Sequence, residues 1–348
     1  MTTPVEPETA PVEMVRVRHG AVAVPGATAP NDRVQYRIFH PALFSDAPAE
    51  RQTGQLPPDP RLAPWAVVVL LSGINVGAES YRWLGERLAP LGIATVTCSH
   101  VGEITPGDVG LSPGLDLSAV AIGDYGTRPS ATAVGPILEA LASEHDDGPL
   151  AGMLDLERVA IGGHSAGGTI ALLNADPAWF PGVRAAFSYA GHTVPAAMLG
   201  HPAGTVLPIA ASTPALIIGG TEDGVVAASA SRYEATSPTD AHDPVTDTYL
   251  RGATAVGSAL AVIAGAGHLA VCDPIDPTTA RGFLEPAPND ANAAQRELIG
   301  SLIAAFCVDH LDVGTSTPTL VELSEDPLLT GLRIRGADPV GPAAQVET

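Results

Sequence analysis

From Ala66 to Asp312 the chain alternates between short, unbroken apolar runs and longer segments whose apolar residues recur at helical spacing, and few architectures accept that alternation. The runs are AVVVLLS (66–72), IATVTCS (93–99), LERVAIGG (156–163), VRAAFSYAG (183–191), TPALIIGG (213–220) and SALAVIAGAG (258–267). Continuous runs rich in branched side chains are expected of parallel strands covered on both faces. Between them, SYRWLGERLAPLG (80–92, closed by Gly92), PSATAVGPILEALASEH (129–145), SAGGTIALLNAD (165–176) and QRELIGSLIAAFCVDHLD (295–312) read as helices. The expected fold class is α/β, with a mostly parallel central sheet and helices on both faces.

The 348 residues fit one domain of this kind with decorated loops. Three regions are expected: an N-terminal arm or outer strand over 1–30, from the loose alternation of VRVRHGAVAVPG; a main α/β domain over 31–312; and a C-terminal extension over 313–348. VQYRIFHP (34–41) reads as a strand, and the Pro-, Gly- and Asp-rich stretches 42–64 and 101–115 as loops. The extension offers a small hairpin around TPTLVEL and LRIRG, a contact for a homodimer, or a mobile tail.

Seventeen Lys plus Arg against thirty-eight Asp plus Glu give a formal charge of −21, which repels nucleic acid and anionic membrane surfaces. No run of about eighteen apolar residues predicts a membrane span, and MTTPVEPETA does not resemble a secretory signal, so a cytoplasmic protein is expected. Cys98, Cys272 and Cys307 are too widely spaced for a disulfide framework or a zinc pattern, and neither a metal nor a cofactor is expected.

Chemistry concentrates in IGGHSAGGT (161–169), where Gly163, Ser165 and Gly167 stand in G-x-S-x-G order between a strand and a helix. Small neighbours let the backbone turn tightly enough to lift a serine Oγ above the sheet, and the following helix aims free amides at a developing oxyanion. Ser165 is therefore the expected nucleophile. His164, beside it, should point away from Oγ and serve as a pocket wall or in packing.

A serine hydroxyl needs a base, and the base needs an acid to orient it; in this strand–turn–helix setting the chain order is serine, acid, histidine. His268, in AGAGHLA after the last apolar run, fits the base. His192, His201, His242 and His310 also follow Ser165, and His192 is the best of them for a pocket wall. GGTEDGVV offers Asp223, with Gly224 free to turn the chain away, and Glu222 as its rival; Asp240, Asp243 and Asp247 are weaker choices. For the oxyanion, Ala166 N–H is one expected donor. LLSGINVG supplies the other, with Ile74 preferred over Gly73 and Asn75. Trp83 joins Ile74 and His192 as a candidate for the substrate pocket, together with PAAMLGHPAGTVLP (195–208).

At SGINVGAESYRWLGERLAPLGIATV, RPSA, LDLERVAIGGHSAGGT, GGTEDGVV and GAGHLAV the chain resembles the α/β-hydrolase superfamily, from about Val67 to Leu311. The resemblance is to the branch of dienelactone hydrolases, platelet-activating-factor acetylhydrolases, chlorophyllases and cutinase-like polyester hydrolases. It implies a serine carboxylesterase working through an acyl-enzyme, with Ser165, Asp223 and His268 at the triad positions and Ile74 and Ala166 at the oxyanion positions. The sequence departs from these relatives in Ser72-Gly73, where many have His-Gly, and in Ile74, where polyester hydrolases carry an aromatic ring. Ser165 also stands where dienelactone hydrolases proper have cysteine. The expected partner is a small or medium hydrophobic ester; a lactone, thioester or polyester would suit the same triad, and a non-catalytic binding protein is the reading from another class.

Overall fold

The computed structural model describes residues 12–105, 107–229, 232, 243–287, 289–336 and 344–347. Among them eleven strands form one mixed, mostly parallel sheet: β1 (Val12–Ala23), β2 (Arg33–Phe44), β3 (Trp65–Leu71), β4 (Ile93–Thr105), β5 (Asp108–Ser112), β6 (Leu154–His164), β7 (Val183–Tyr189), β8 (Ala215–Gly220), β9 (Ala259–Ile263), β10 (Leu329–Arg335) and β11 (Ala344–Glu347). The path is β1-β2-β4-β3-β6-β7-β8-β9-β10-β11, with β5 paired to β4 off the path. The interior from β4 to β9 is parallel throughout, while β1–β2, β2–β4, β4–β5 and β9–β10 are antiparallel.

The helices are α1 (Pro48–Thr53), α2 (Arg82–Leu88), α3 (Val134–Asp146), α4 (Ala166–Asn174), α5 (Gly224–Ala228), α6 (Asp243–Asp247), α7 (Ala291–His310) and α8 (Leu320–Leu323). Why β3 must lie between two helical layers follows from its sequence. All seven residues are buried, and successive side chains point to opposite faces. Val67, Val69 and Leu71 enter a core shared with α3 and α4, and Ala66, Val68 and Leu70 a second core shared with α2 and α7. Each fully buried Val or Leu contributes roughly 1.5–3 kcal/mol, so a polar residue in this run would weaken one core or the other.

Three expectations need amendment, and that for the N-terminal region resolves to one of its alternatives. Residues 80–92 are a composite: a 3-10 turn Ala78–Tyr81, α2, then a 3-10 turn Ala89–Leu91 closed by Gly92 at φ 81. The 101–115 stretch is largely a hairpin, because β4 runs on past the sheet and pairs β5, with Gly107 at φ 84 in the turn. Of the arm or outer strand expected over 1–30, the described residues form the outer strand, β1 at the sheet edge; residues 1–11 lie outside the described residues. In the extension, TPTLVEL holds the short helix α8 and LRIRG belongs to β10, which joins the main sheet on β9 rather than folding back as a separate hairpin. Residues 337–343 and 348 of that extension lie outside the described residues.

Candidate active site

Because β3, β6, β8 and β9 run parallel, their carboxyl ends share one edge of the sheet, where such folds gather reactive groups. β6 ends at His164 and α4 begins at Ala166, leaving Ser165 alone in the turn at φ 54, ψ −126. An L-residue held there stores on the order of 1–3 kcal/mol of strain. Two backbone bonds fix it: Ser165 N–H donates to Tyr189 O at 2.9 Å, and Thr169 N–H donates to Ser165 O at 3.0 Å. The flanking glycines are required by space. A Cβ on Gly163 would run into the backbone of Gly167, and one on Gly167 into the carbonyl oxygens of Leu71 and Ser72.

His268 opens a 3-10 turn (His268–Val271) beyond β9, and Asp223 caps α5 beyond β8. Asp223 Oδ1 accepts from Val226 N–H at 2.8 Å, which aims the carboxylate; Oδ2 accepts from His268 Nδ1–H, also at 2.8 Å. Both side chains are almost fully buried, at 2% and 5% exposure. This bond fixes the proton on Nδ1 and leaves Nε2 with the lone pair, the form in which an imidazole accepts a hydroxyl proton. Ser165 and His268 line one cavity. Glu222 is exposed instead, and its N–H bonds to Ala266 O. Asp243 and Asp247 belong to α6, where Asp247 pairs with Arg251; Asp240 and His242 lie outside the described residues. His201 Nε2–H donates to Val120 O at 2.8 Å, and His310 packs edge-on against Phe306.

Of the three amides weighed for the oxyanion loop, two are already engaged. Gly73 N–H donates to Tyr81 Oη at 3.0 Å, and Asn75 N–H to Leu111 O at 2.8 Å. The N–H groups of Ile74 and Ala166 have no partner among the described residues, and both residues line the cavity. Beneath them runs a directed chain of hydrogen bonds. Tyr81 Oη, having accepted from Gly73, donates its own proton to His164 Nδ1 at 2.8 Å, and His164 Nε2–H donates to His268 O at 2.9 Å. Burial first, and then the neighbouring His268, hold His164 well below the usual histidine pKa, so its ring stays neutral as this pattern requires. His164 lines the cavity, as expected of a wall, and is also a strut between the loops that carry Gly73, Ser165 and His268.

Sequence reasoning missed two groups. Tyr81 is fully buried beneath the loop 73–75, and nothing in SYRWLGERL marks its hydroxyl as bonded to a residue 83 positions away. Glu285 arrives from a loop far along the chain: its half-buried carboxylate accepts from Leu269 N–H at 3.3 Å, next to His268. Burial, then the negative charge of Asp223, raise its pKa above the ordinary glutamate value.

The cavity measures about 490 Å³, within the usual range for small-molecule sites. His192 lines it, is buried, and is pushed down to about 4 by that burial. Trp83 does not line it. Its indole N–H donates to Val271 O at 2.8 Å and its ring packs against Gly300 of α7, because the α2 face that carries it is turned to the core. All three cysteines are buried, which pushes each thiol up to about 12 and away from thiolate chemistry. Among the described residues no cluster of three or more His, Cys, Asp or Glu is arranged to hold a metal, and no helix is long and apolar enough to cross a membrane. No protein-family model matches the chain, and no curated protein matches it.

Proposed function

We propose that the chain is a serine carboxylesterase of the α/β-hydrolase fold, cleaving a small or medium hydrophobic ester through an acyl-enzyme. The observation that carries this reading is the buried Asp223–His268 pair, joined at 2.8 Å and opening on the cavity that also holds Ser165 at the strained strand-to-helix turn. In the proposed cycle His268 Nε2 takes the Ser165 proton as Oγ attacks the ester carbonyl. The oxyanion is met by Ile74 and Ala166 N–H, the positive end of α4 adding to the field. His268, now an imidazolium held by Asp223, gives its proton to the departing alcohol. Water then repeats the sequence and releases the acid.

A serine-directed fluorophosphonate tests this directly. One equivalent is expected to attach at Ser165, and Ser165→Ala is expected to remain folded, take up no label and lose the great majority of turnover on p-nitrophenyl esters. A folded parent protein that neither labels at Ser165 nor hydrolyses any ester would defeat the proposal and leave the non-catalytic binding protein in its place.

A further inference from the structure

The cavity has two ends of different make. One adjoins the acid and base: Val225 and Val226, two and three residues after Asp223 in α5, line it together with Ala280 and Arg281, and Arg281 donates to Ser229 Oγ at 2.9 Å. The other runs away from them along α4. Ser165, Thr169, Ile170 and Leu173 all line the cavity, a spacing that keeps them on one helical face. At 1.5 Å per residue, Leu173 stands about 12 Å along the axis from the serine.

Opposite Leu173 lie Val120 and Leu207, which form with it a small apolar cluster separate from the two cores, joined by the partly buried Leu115, Leu199 and Tyr125, of which Tyr125 does not line the cavity. This wall is built and braced. Ile122 N–H donates to Leu199 O at 3.0 Å, His201 to Val120 O at 2.8 Å, Leu207 N–H to Thr193 O at 2.9 Å, and the Tyr125 hydroxyl to Pro208 O. Among the described residues no Phe, Tyr or Trp lines the cavity, so its only flat rings are the imidazoles of His164, His192 and His268, none of them in the Leu and Val cluster at the far end.

We propose that this far end seats an aliphatic acyl chain of medium length and that Leu173 sets the length accepted, an inference that rests on the esterase reading. The assignment to the acyl side follows from proton transfer. His268 must reach the leaving oxygen, so the alcohol occupies the α5 end, and the acyl chain is left the arm along α4. A wall of Leu and Val discriminates by fit: one methylene too many or too few is worth roughly 10- to 200-fold in kcat/KM.

The test measures kcat/KM on two series, straight-chain p-nitrophenyl acyl esters from acetyl to dodecanoyl and acetates of straight-chain alcohols, for the parent, Leu173→Phe and Leu173→Ala. Leu199→Phe, on a more exposed turn, serves as a second filling variant should Leu173→Phe fail to fold. The expected parent optimum lies at a medium acyl chain. A filling variant is expected to lower the ratio of octanoyl to acetyl turnover at least tenfold, and Leu173→Ala to move the optimum to longer acyl chains, with the alcohol-length profile unmoved. Folded variants with an unchanged acyl profile, or a shift in the alcohol series alone, would overturn the assignment of this arm while leaving the esterase reading in place. Inability of the parent to hydrolyse any ester in either series, with no label at Ser165, would overturn both.

Discussion

The site rests on two supports of opposite character. Beneath it, Gly73, Tyr81, His164, His268 and Asp223 form a buried polar strut in which each donor has a defined acceptor at 2.8–3.0 Å. Beside it, the side chains of Val120, Leu173 and Leu207 meet by apolar packing in a wall whose backbone is braced by hydrogen bonds behind it. Hydrogen bonds are directional and costly to leave half made when buried, so the strut fixes angles; dispersion is not directional, so the wall fixes volume. Under the proposed esterase reading this is a division of labour, with the strut set to govern the rate of the chemical step and the wall to govern which ester fits.

The largest effect should come from the strut's charged end. Asp223→Asn keeps the shape but removes the charge that orients and stabilises the His268 imidazolium. It should lower kcat by about 10³- to 10⁴-fold and alter KM far less. Glu222→Gln should stay within about threefold of the parent, as its carboxylate is exposed and apart from His268. A crippled Glu222→Gln beside a nearly normal Asp223→Asn would show that the acid works through a geometry other than this one.

A smaller effect, and a sharper comparison, pairs Tyr81→Phe with Val120→Ala. Removing the hydroxyl strands Gly73 N–H and leaves His164 Nδ1 without its donor; each buried polar group so abandoned costs about 1–3 kcal/mol. Tyr81→Phe should lose stability and lower kcat roughly 10- to 100-fold with KM little changed, because the oxyanion loop and the base loosen together. Val120→Ala, which also costs stability by opening a cavity, should act chiefly by raising KM for long acyl esters. Steady-state kinetics beside thermal melts decide the matter, and an equal effect of both substitutions on kcat would erase the distinction between strut and wall.

How legible these features were in the sequence depended on whether their cause was local. The parallel strands announced themselves because burial on both faces demands unbroken apolar runs such as AVVVLLS. Ser165 was legible because a tight turn demands Gly163 and Gly167, and Asp223 and His268 because short turns beyond β8 and β9 leave few candidates. Tyr81 and Glu285 left no such mark: both reach the site through contacts between segments distant in the chain, and a tyrosine or glutamate in an ordinary helix or loop looks no different. Trp83 was misplaced for a related reason, since helical spacing shows that α2 has a buried face but not which residues of the second core it meets. The 101–115 hairpin was hidden by its composition, because Gly, Pro and Asp are poor strand formers and the pairing of β4 with β5 overrides that preference.

The smallest expected effect concerns Glu285, a carboxylate placed against the strut without belonging to it. Its pKa is raised chiefly by burial and then by the negative charge of Asp223, so the folded protein holds this proton more tightly than the unfolded chain does. The sign follows from linkage. The group's contribution to stability is fully present below the unfolded glutamate value of about 4.3 and is lost as pH rises through the higher folded value. Glu285→Gln keeps an oxygen to accept from Leu269 N–H but cannot ionise. Parent and variant should therefore melt alike near pH 4, and the variant should melt higher at pH 8, by on the order of 1 °C because the group is only half-buried and solvent screens its charge. Melting curves of both proteins across that range supply the check. A difference that does not vary with pH would mean that the substitution acts through packing, and a lower melting point for the variant at pH 8 would mean that the ionised carboxylate gains more from Leu269 and His268 than it loses to burial.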